Sequence, residues 1–339
     1  MSTAEAVAVV LFLGVMFYAI FGGADFGAGF WDLVAGGAVR GARPRALIDD
    51  AIGPVWEANH VWLIFCLVVL WTAFSEAFAS IMLTLFVPLT LAALGIVLRG
   101  SGFAFRKVVR HTAQRRVFGA VFAISSVIVP FCMGAVAGGI ASGRVPAGGT
   151  TGDLWDSWLN PTSILGGVLA VTTCAYLSAV FLVSDARRHG DAELVGYFRR
   201  RAIGAALACG VIATGGIFVL RDEDRYLFDN LVGRALPLVI LSAACGLGAL
   251  WLLLRDAHRY ARFFAIGAVA SIVWGWGVAQ WPYILPETLK VSQAAAPEGT
   301  LVAVLVVFGA AVVLCLPSLA LLYVLDQRSL LEAVPAPGG

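Results

Sequence analysis

The sequence predicts an all-α polytopic membrane protein of nine transmembrane helices, with its N-terminus outside and its C-terminus cytoplasmic. Three observations carry that expectation. Of 339 residues, 60% are hydrophobic and only 13% are charged, too few charges to wet the surface of a globule of this size. Apolar stretches of about 20 residues, the length that crosses a bilayer, recur along the whole chain. The basic residues also alternate strongly between successive connecting segments. This composition excludes a soluble globular enzyme, a disordered chain and a nucleic-acid binder, and a net charge of +2 gives no pull toward a polyanion.

Hydropathy places the spans near residues 5–29, 54–74, 77–98, 117–141, 162–184, 202–220, 235–254, 263–281 and 300–325. The N-terminus has no basic region ahead of its first apolar stretch and no small-residue cleavage site, so it is expected to be a retained span. Spans two and three are joined by a tight hairpin at Ser75-Glu76. Counted over alternate segments, 18 basic residues fall on one side and 5 on the other. The positive-inside rule assigns the richer side to the cytoplasm, which leaves the N-terminus outside when the number of spans is odd. The mixed-charge segment 221–234 is expected to be a solvated outer loop. Residues 282–299 are also external, but Tyr283-Ile284-Leu285 is too apolar for full exposure and is expected to lie along the interface or pack on a partner. All of 1–339 is expected to form a single integral membrane domain.

Six cysteines, Cys66, Cys132, Cys174, Cys209, Cys245 and Cys315, each sit alone in an apolar run. They are expected to pack as small hydrophobes, since no disulfide, iron–sulfur or zinc spacing is present.

Ionisable residues at membrane depth are costly and mark functional candidates. The first span contains Gly23 and Gly27, spaced to let another helix approach closely, with Asp25 between them and Asp32 seven residues on, near the same helix face. The second span opens Gly53-Pro54-Val55-Trp56-Glu57-Ala58-Asn59-His60. Proline suits a first helical turn, and Trp56, Glu57 and His60 share a face. Glu57 could equally be a first-turn carboxylate favoured by the helix dipole, and His60 a hydrogen-bonded core residue. Asp25, Glu57 and His60 are expected at similar depth in the inner half of the bilayer, where such a cluster can take protons from the cytoplasm. Of four histidines, His60, His111, His189 and His258, only His60 lies within a span, so bis-histidine haem ligation is not expected. No metal site is expected.

These segments resemble subunit II of the cytochrome bd quinol oxidases, including the cyanide-insensitive oxidases. Gly23-Ala24-Asp25-Phe26-Gly27-Ala28-Gly29 is similar to the signature D-G-F-D-L-G-x-G, and residues 53–63 to G-P-x-W-D-G-N-E-V-W-L. Leu98-Arg99-Gly100 through Phe103-Ala104-Phe105-Arg106 resembles R-G-x-A-F-E-F-R. Trp281 to Pro286 resembles an external aromatic-proline motif, and Leu316-Pro317 through Leu322-Tyr323 falls at the P-x-x-L-x-Y of the last span. The chain is a divergent member by this resemblance: Glu57 stands for aspartate, Ala58 for glycine, His60 for glutamate or glutamine, and Ala104 for glutamate.

The resemblance implies a nine-span, non-haem subunit of a quinol:oxygen oxidoreductase in a bacterial plasma membrane, paired with a haem-bearing subunit I. The complex would reduce oxygen to water with quinol as donor, electrogenically but without pumping, and the isolated chain would not be catalytic. This chain would stabilise its partner and contribute to cytoplasmic proton access, with Glu57, Asp25 and His60 as proton-path candidates. Trp56, Gly23, Gly27, Asn59 and Arg99 are expected at the partner interface or in packing. No cofactor is assigned to the chain itself, although a structural quinone is possible by the resemblance; quinol and membrane lipids are the other expected partners. The alternatives are a purely structural assembly subunit and a secondary transporter, the latter disfavoured because no broken-helix segments recur in two halves.

Overall fold

The computed structural model describes residues 1–37, 39–53, 56–109 and 112–327, though not the side chains of residues 56–58, 107, 112, 258, 259, 316, 319, 322, 323, 326 and 327. The described chain is almost entirely helical. The first span is one helical run in three parts: α1 (Thr3–Phe17), a π-helical turn (Tyr18–Gly22) and α2 (Gly23–Leu33). Ser2 and Glu5 cap its start reciprocally, a capping box that satisfies two amides left free at a helix N-terminus.

Next come α3 (Ala42–Ile52), α4 (Trp56–Ala73), α5 (Ser75–Thr84), α6 (Phe86–Val108), α7 (Thr112–Ala141), α8 (Pro161–Arg188) and α9 (Ala192–Glu223). A short α10 (Arg225–Val232) precedes α11 (Leu236–Leu254) and α12 (His258–Gln280). A two-stranded hairpin, β1 (Tyr283–Leu285) and β2 (Leu289–Lys290), leads through α13 (Val291–Ala294) to α14 (Glu298–Gln327). Among the described residues, eight helical runs are long and apolar enough to cross a membrane, and a ninth arises if the bent pair α4–α5 is one span.

That pair corrects the expected hairpin. Chain direction changes by 119° between Asn59–Ala73 and Ser75–Thr84, and Leu85 then separates α5 from α6, so the third crossing helix starts at Phe86 rather than 77. The reason is polar. Glu76, Ser80 and Thr84 stand at i, i+4 and i+8, on one face of α5, and accept hydrogen bonds from the amides of Gly148, Gly149 and Gly152 at 2.9, 3.1 and 3.1 Å. A helix whose polar stripe holds down a glycine-rich loop lies at an end of the bundle.

Two buried clusters occupy opposite ends. One surrounds Val7, Leu11, Ile81, Leu85, Val145, Trp158, Leu285 and Leu289 at the hairpin end. The other gathers Trp31, Leu47, Ile48, Phe122, Leu177, Val180, Phe198 and Leu253 at the α3 end. The α3 segment, expected as loop, is a helix because Leu47, Ile48 and Ile52 are spaced to bury one face. Residues 282–299 pack on this chain's own hairpin-end cluster through Leu285, Leu289, Val291 and Ala294.

Nor is 221–234 a solvated loop. Asp224 accepts from the Leu227 amide to cap α10, and Arg234 donates to the carbonyl oxygens of Ala279, at 2.8 Å, and Trp281. Burial raises the Asp224 carboxyl above the ordinary carboxylate range. The six cysteines are free, and Cys132 and Cys174 are buried, but Cys315 is exposed rather than packed.

Helix α2 lies against α7 and α8. A β-carbon on Gly27 would sit 1.8 Å from the Cys174 carbonyl oxygen, whereas one on Gly23 would meet Cys174 Sγ at an ordinary 3.5 Å. Of the two glycines, Gly27 is the one that sets the helix spacing. Gly27→Ala is therefore expected to abolish accumulation of the folded chain in membranes while Gly23→Ala accumulates normally. Immunoblots of membrane fractions check both, and equal yields would refute the assignment.

Candidate functional site

The two buried aspartates of α2 meet two arginines of α6 with the same seven-residue spacing. Asp25 Oδ1 accepts from Arg99 Nη2 at 2.7 Å, and both side chains are essentially inaccessible, at 2% and 1% exposure. One heptad along, Asp32 takes Arg106 on one oxygen and Arg45 Nε on the other at 2.6 Å. Arg106 also bonds Asp49 of α3. The result is a two-rung ladder between α2 and α6, its rungs about 10 Å apart along the helices.

Each rung is satisfied from several sides. Arg99 Nε donates to Ser126 Oγ of α7 at 2.9 Å, and Nη2 also donates to the Asp25 carbonyl at 3.1 Å. The fully buried ring of Phe122 lies between the rungs, with Arg99 Cζ 4.8 Å and Arg106 Cζ 4.4 Å from its centroid. Phe26 supports Arg99 from a second side at 4.9 Å. Buried ion pairs hold only with such geometry, because desolvation of the two charges rivals their attraction. Gly29 leaves the room: a β-carbon there would fall 2.1 Å from Ser126 Oγ.

The upper rung is incomplete on one atom. Asp25 Oδ2 is buried with no hydrogen-bond partner, as are His60 Nδ1 on α4 and the hydroxyl of Tyr18 in the π-turn. Leaving a buried polar group unmet costs about 1–3 kcal/mol, and these three lie in one neighbourhood. Phe26 joins them: its ring is 5.9 Å from the His60 ring and 6.4 Å from that of Tyr18.

Of the residues singled out from sequence, Asp25, His60 and Arg99 thus come together around Phe26, while Gly27 abuts Cys174 of α8. Asn59 is buried beside His60. Gly23 lies in the same helix, against α8. Helix α4 begins at Trp56, so Glu57 falls in its first turn, but the side chains of Glu57 and Trp56 lie outside the described residues. Sequence reasoning missed Tyr18, Ser126, Asp49 and the pairing role of Arg99. Tyr18 carries no charge in an apolar run and gives no signal; the equal spacing of Asp25 to Asp32 and Arg99 to Arg106 did. Among the described residues, no group of three or more His, Cys, Asp or Glu side chains is placed to hold a metal ion.

Charged rungs buried among long apolar helices define a class: an integral membrane protein with an intramembrane ion-pair ladder. The chain belongs to the cytochrome bd terminal oxidase subunit II family, whose sequence pattern matches residues 3–326. It is 26% identical to the cytochrome bd ubiquinol oxidase subunit 2 of Bacillus subtilis, over 70% of this chain and 67% of that one. It is 25% identical to the cytochrome bd-I ubiquinol oxidase subunit 2 of Escherichia coli, over 82% of this chain and 81% of that one. The solved bd oxidase structure from Geobacillus thermodenitrificans superposes with a TM-score of 0.78 at 26% identity, covering 98% of this chain and all of the matched chain.

Removing one member of a buried pair strands the other, at a cost of about 3–5 kcal/mol. Arg106→Leu leaves Asp32 still paired with Arg45, whereas Arg99→Leu leaves Asp25 with no cation. Accordingly, Arg99→Leu is expected to lower the thermal unfolding midpoint of the detergent-solubilised protein well below that of Arg106→Leu. Equal midpoints would count against the upper rung as the more deeply buried of the two.

Proposed function

We propose that this chain is the non-haem subunit of a bd-type quinol oxidase in a bacterial plasma membrane. There it stabilises a haem-bearing subunit I and contributes to the path by which protons from the cytoplasm reach the site of oxygen reduction. The whole chain acts as one integral membrane domain, is not catalytic alone, and works in a complex whose donor is quinol. The observation that carries the proton role is the half-satisfied Asp25: one oxygen is held by Arg99 and the other is buried without a partner.

The family chemistry implies haem, but the two histidines whose side chains are described, His60 and His189, do not fit it. His60 packs against Tyr18 and Phe26, and His189 donates from Nδ1 to its own helix's Asp185 carbonyl at 2.9 Å. That mismatch supports assigning the haems to the partner. Nine spans with an external N-terminus remain the best topology. Asp25 pairs with Arg99 and Asp32 with Arg106 in the same chain order, so α2 and α6 run parallel. A parallel pair supports one net crossing between them, made by α4, with α5 at the hairpin end. The end holding α3, with Arg40, Arg43 and Arg45, is then the cytoplasmic one, by the positive-inside rule.

A second reading, an assembly subunit with no proton role, draws support from the ladder itself, since a buried ion pair can be purely architectural. One double variant separates the two. A matched apolar or neutral pair can replace a buried ion pair at little cost, so Asp25→Asn with Arg99→Met is expected to assemble with subunit I and keep its haem spectrum. Oxygen consumption should nonetheless fall about a hundredfold or more, the effect of losing a proton-transfer group. Full turnover in this variant would leave the assembly role alone. Glu57→Gln is expected to slow turnover likewise with the haem spectrum intact; loss of haem there would make Glu57 structural.

A further inference from the structure

The three unpartnered atoms have complementary hydrogen-bonding capacities. Asp25 Oδ2, on an ionised carboxylate paired to Arg99, can only accept; the imidazole Nδ1 of His60 accepts when it carries no proton and donates when it does; the Tyr18 hydroxyl does both. A single water molecule with its two hydrogens toward Asp25 Oδ2 and His60 Nδ1, accepting the Tyr18 O–H, would satisfy all three. A buried water requires a polar setting with two to four such partners.

The backbone is also shaped for Tyr18. Its ring lies along the helix against Gly22, where a β-carbon would come within 2.9 Å of it. The turn that carries it, Tyr18–Gly22, is π-helical, a feature that interrupts regular helices mostly at functional places. Glycine four residues on leaves room for that ring, whose centroid lies 6.4 Å from that of His60 on α4.

We propose that Tyr18, His60 and Asp25 enclose one water-binding pocket within the bilayer, and that Tyr18 is a positioning residue that orients this water between His60 and Asp25. The inference rests on the proton-access reading above and adds to it a residue and a ligand. Among the described residues, the groups facing His60 are Tyr18 from the π-turn, Asp25 from α2 and Arg99 from α6, with Cys66 on its own helix and Cys174 from α8 around Tyr18. Asp25 and Arg99 cancel, so a proton taken up by the His60 ring leaves the cluster with one net positive charge. With the ring protonated, Nδ1–H donates to the water oxygen, and the water keeps its bond to Asp25 while turning its other hydrogen to the Tyr18 oxygen.

The test uses the purified oxidase complex with ring-¹³C tyrosine, as wild type, Tyr18→Phe and His60→Gln. The Tyr18 C–O infrared band is the one missing from Tyr18→Phe. It is expected to shift in His60→Gln and on exchange into H₂¹⁸O, and Tyr18→Phe is expected to move the midpoint of the pH–turnover profile by about one unit, the equivalent of one hydrogen bond to the charged form. A band indifferent to both treatments overturns the pocket, and a shift with His60→Gln but none with H₂¹⁸O overturns the water. An unmoved pH profile overturns the positioning role. These failures would leave slow turnover of the Asp25→Asn, Arg99→Met variant intact, and normal turnover there would defeat the proton reading while leaving the infrared coupling in place.

Discussion

The structure depends on two arginines and two aspartates that must meet where water cannot help them. In a low-dielectric interior, charges separated from their partners cost several kcal/mol each. The register of α2 against α6 is therefore set by Asp25 to Arg99 and Asp32 to Arg106 more firmly than apolar contacts could set it. Apolar side chains tolerate a slide of part of a turn; an ion pair with a 2.7 Å contact and a second bond to Ser126 does not. Around that register, Phe122 fills the space between the rungs and Gly27 brings α8 against α2. Trp31 Nε1 then donates to the Ala175 carbonyl at 2.8 Å, tying α2 to α8 a second time.

The ladder also changes the meaning of the basic residues. Arg99 and Arg106 enter the charge asymmetry as loop residues, yet both are buried at the side of α2 and neutralised there. The asymmetry survives without them because Arg40, Arg43, Arg45 and the cluster 187–201 lie at the same end. Arg43 of α3 bonds Asp191, the N-cap of α9, at 2.7 Å, and also Glu193. Asp191 is held below the ordinary carboxylate range first by the Leu194 amide and then by that arginine. Connecting segments thus fasten the helix ends to each other as well as joining them.

How much of this was legible in the sequence follows from the range of each signal. Long apolar runs are local, so most spans appear where hydropathy puts them. Asp25 and Asp32 were visible as charges in an apolar run, and Gly27 through its spacing. The break between spans two and three is invisible to hydropathy because Glu76, Ser80 and Thr84 act through a loop some 70 residues away, which no window can see. For the same reason α3, α10 and the β-hairpin appeared only as loops: each is short, and each is ordered by what it packs on. Partner choice is equally long-range, and nothing local to Arg99 distinguishes a buried arginine from one at a helix end.

His60 shows how one substitution fits this electrostatic frame. By resemblance, its place is held elsewhere in the family by glutamate or glutamine. A second carboxylate beside Asp25 would leave one negative charge beyond what Arg99 can balance, and in this interior it would have to be protonated or paired elsewhere. Glutamine would add no charge but also no titratable group. Histidine in its neutral form keeps the Asp25–Arg99 neighbourhood at zero net charge, yet can accept a proton without moving any heavy atom. The unpartnered Nδ1 thus shares its neighbourhood with a carboxylate of which Arg99 leaves one oxygen bare.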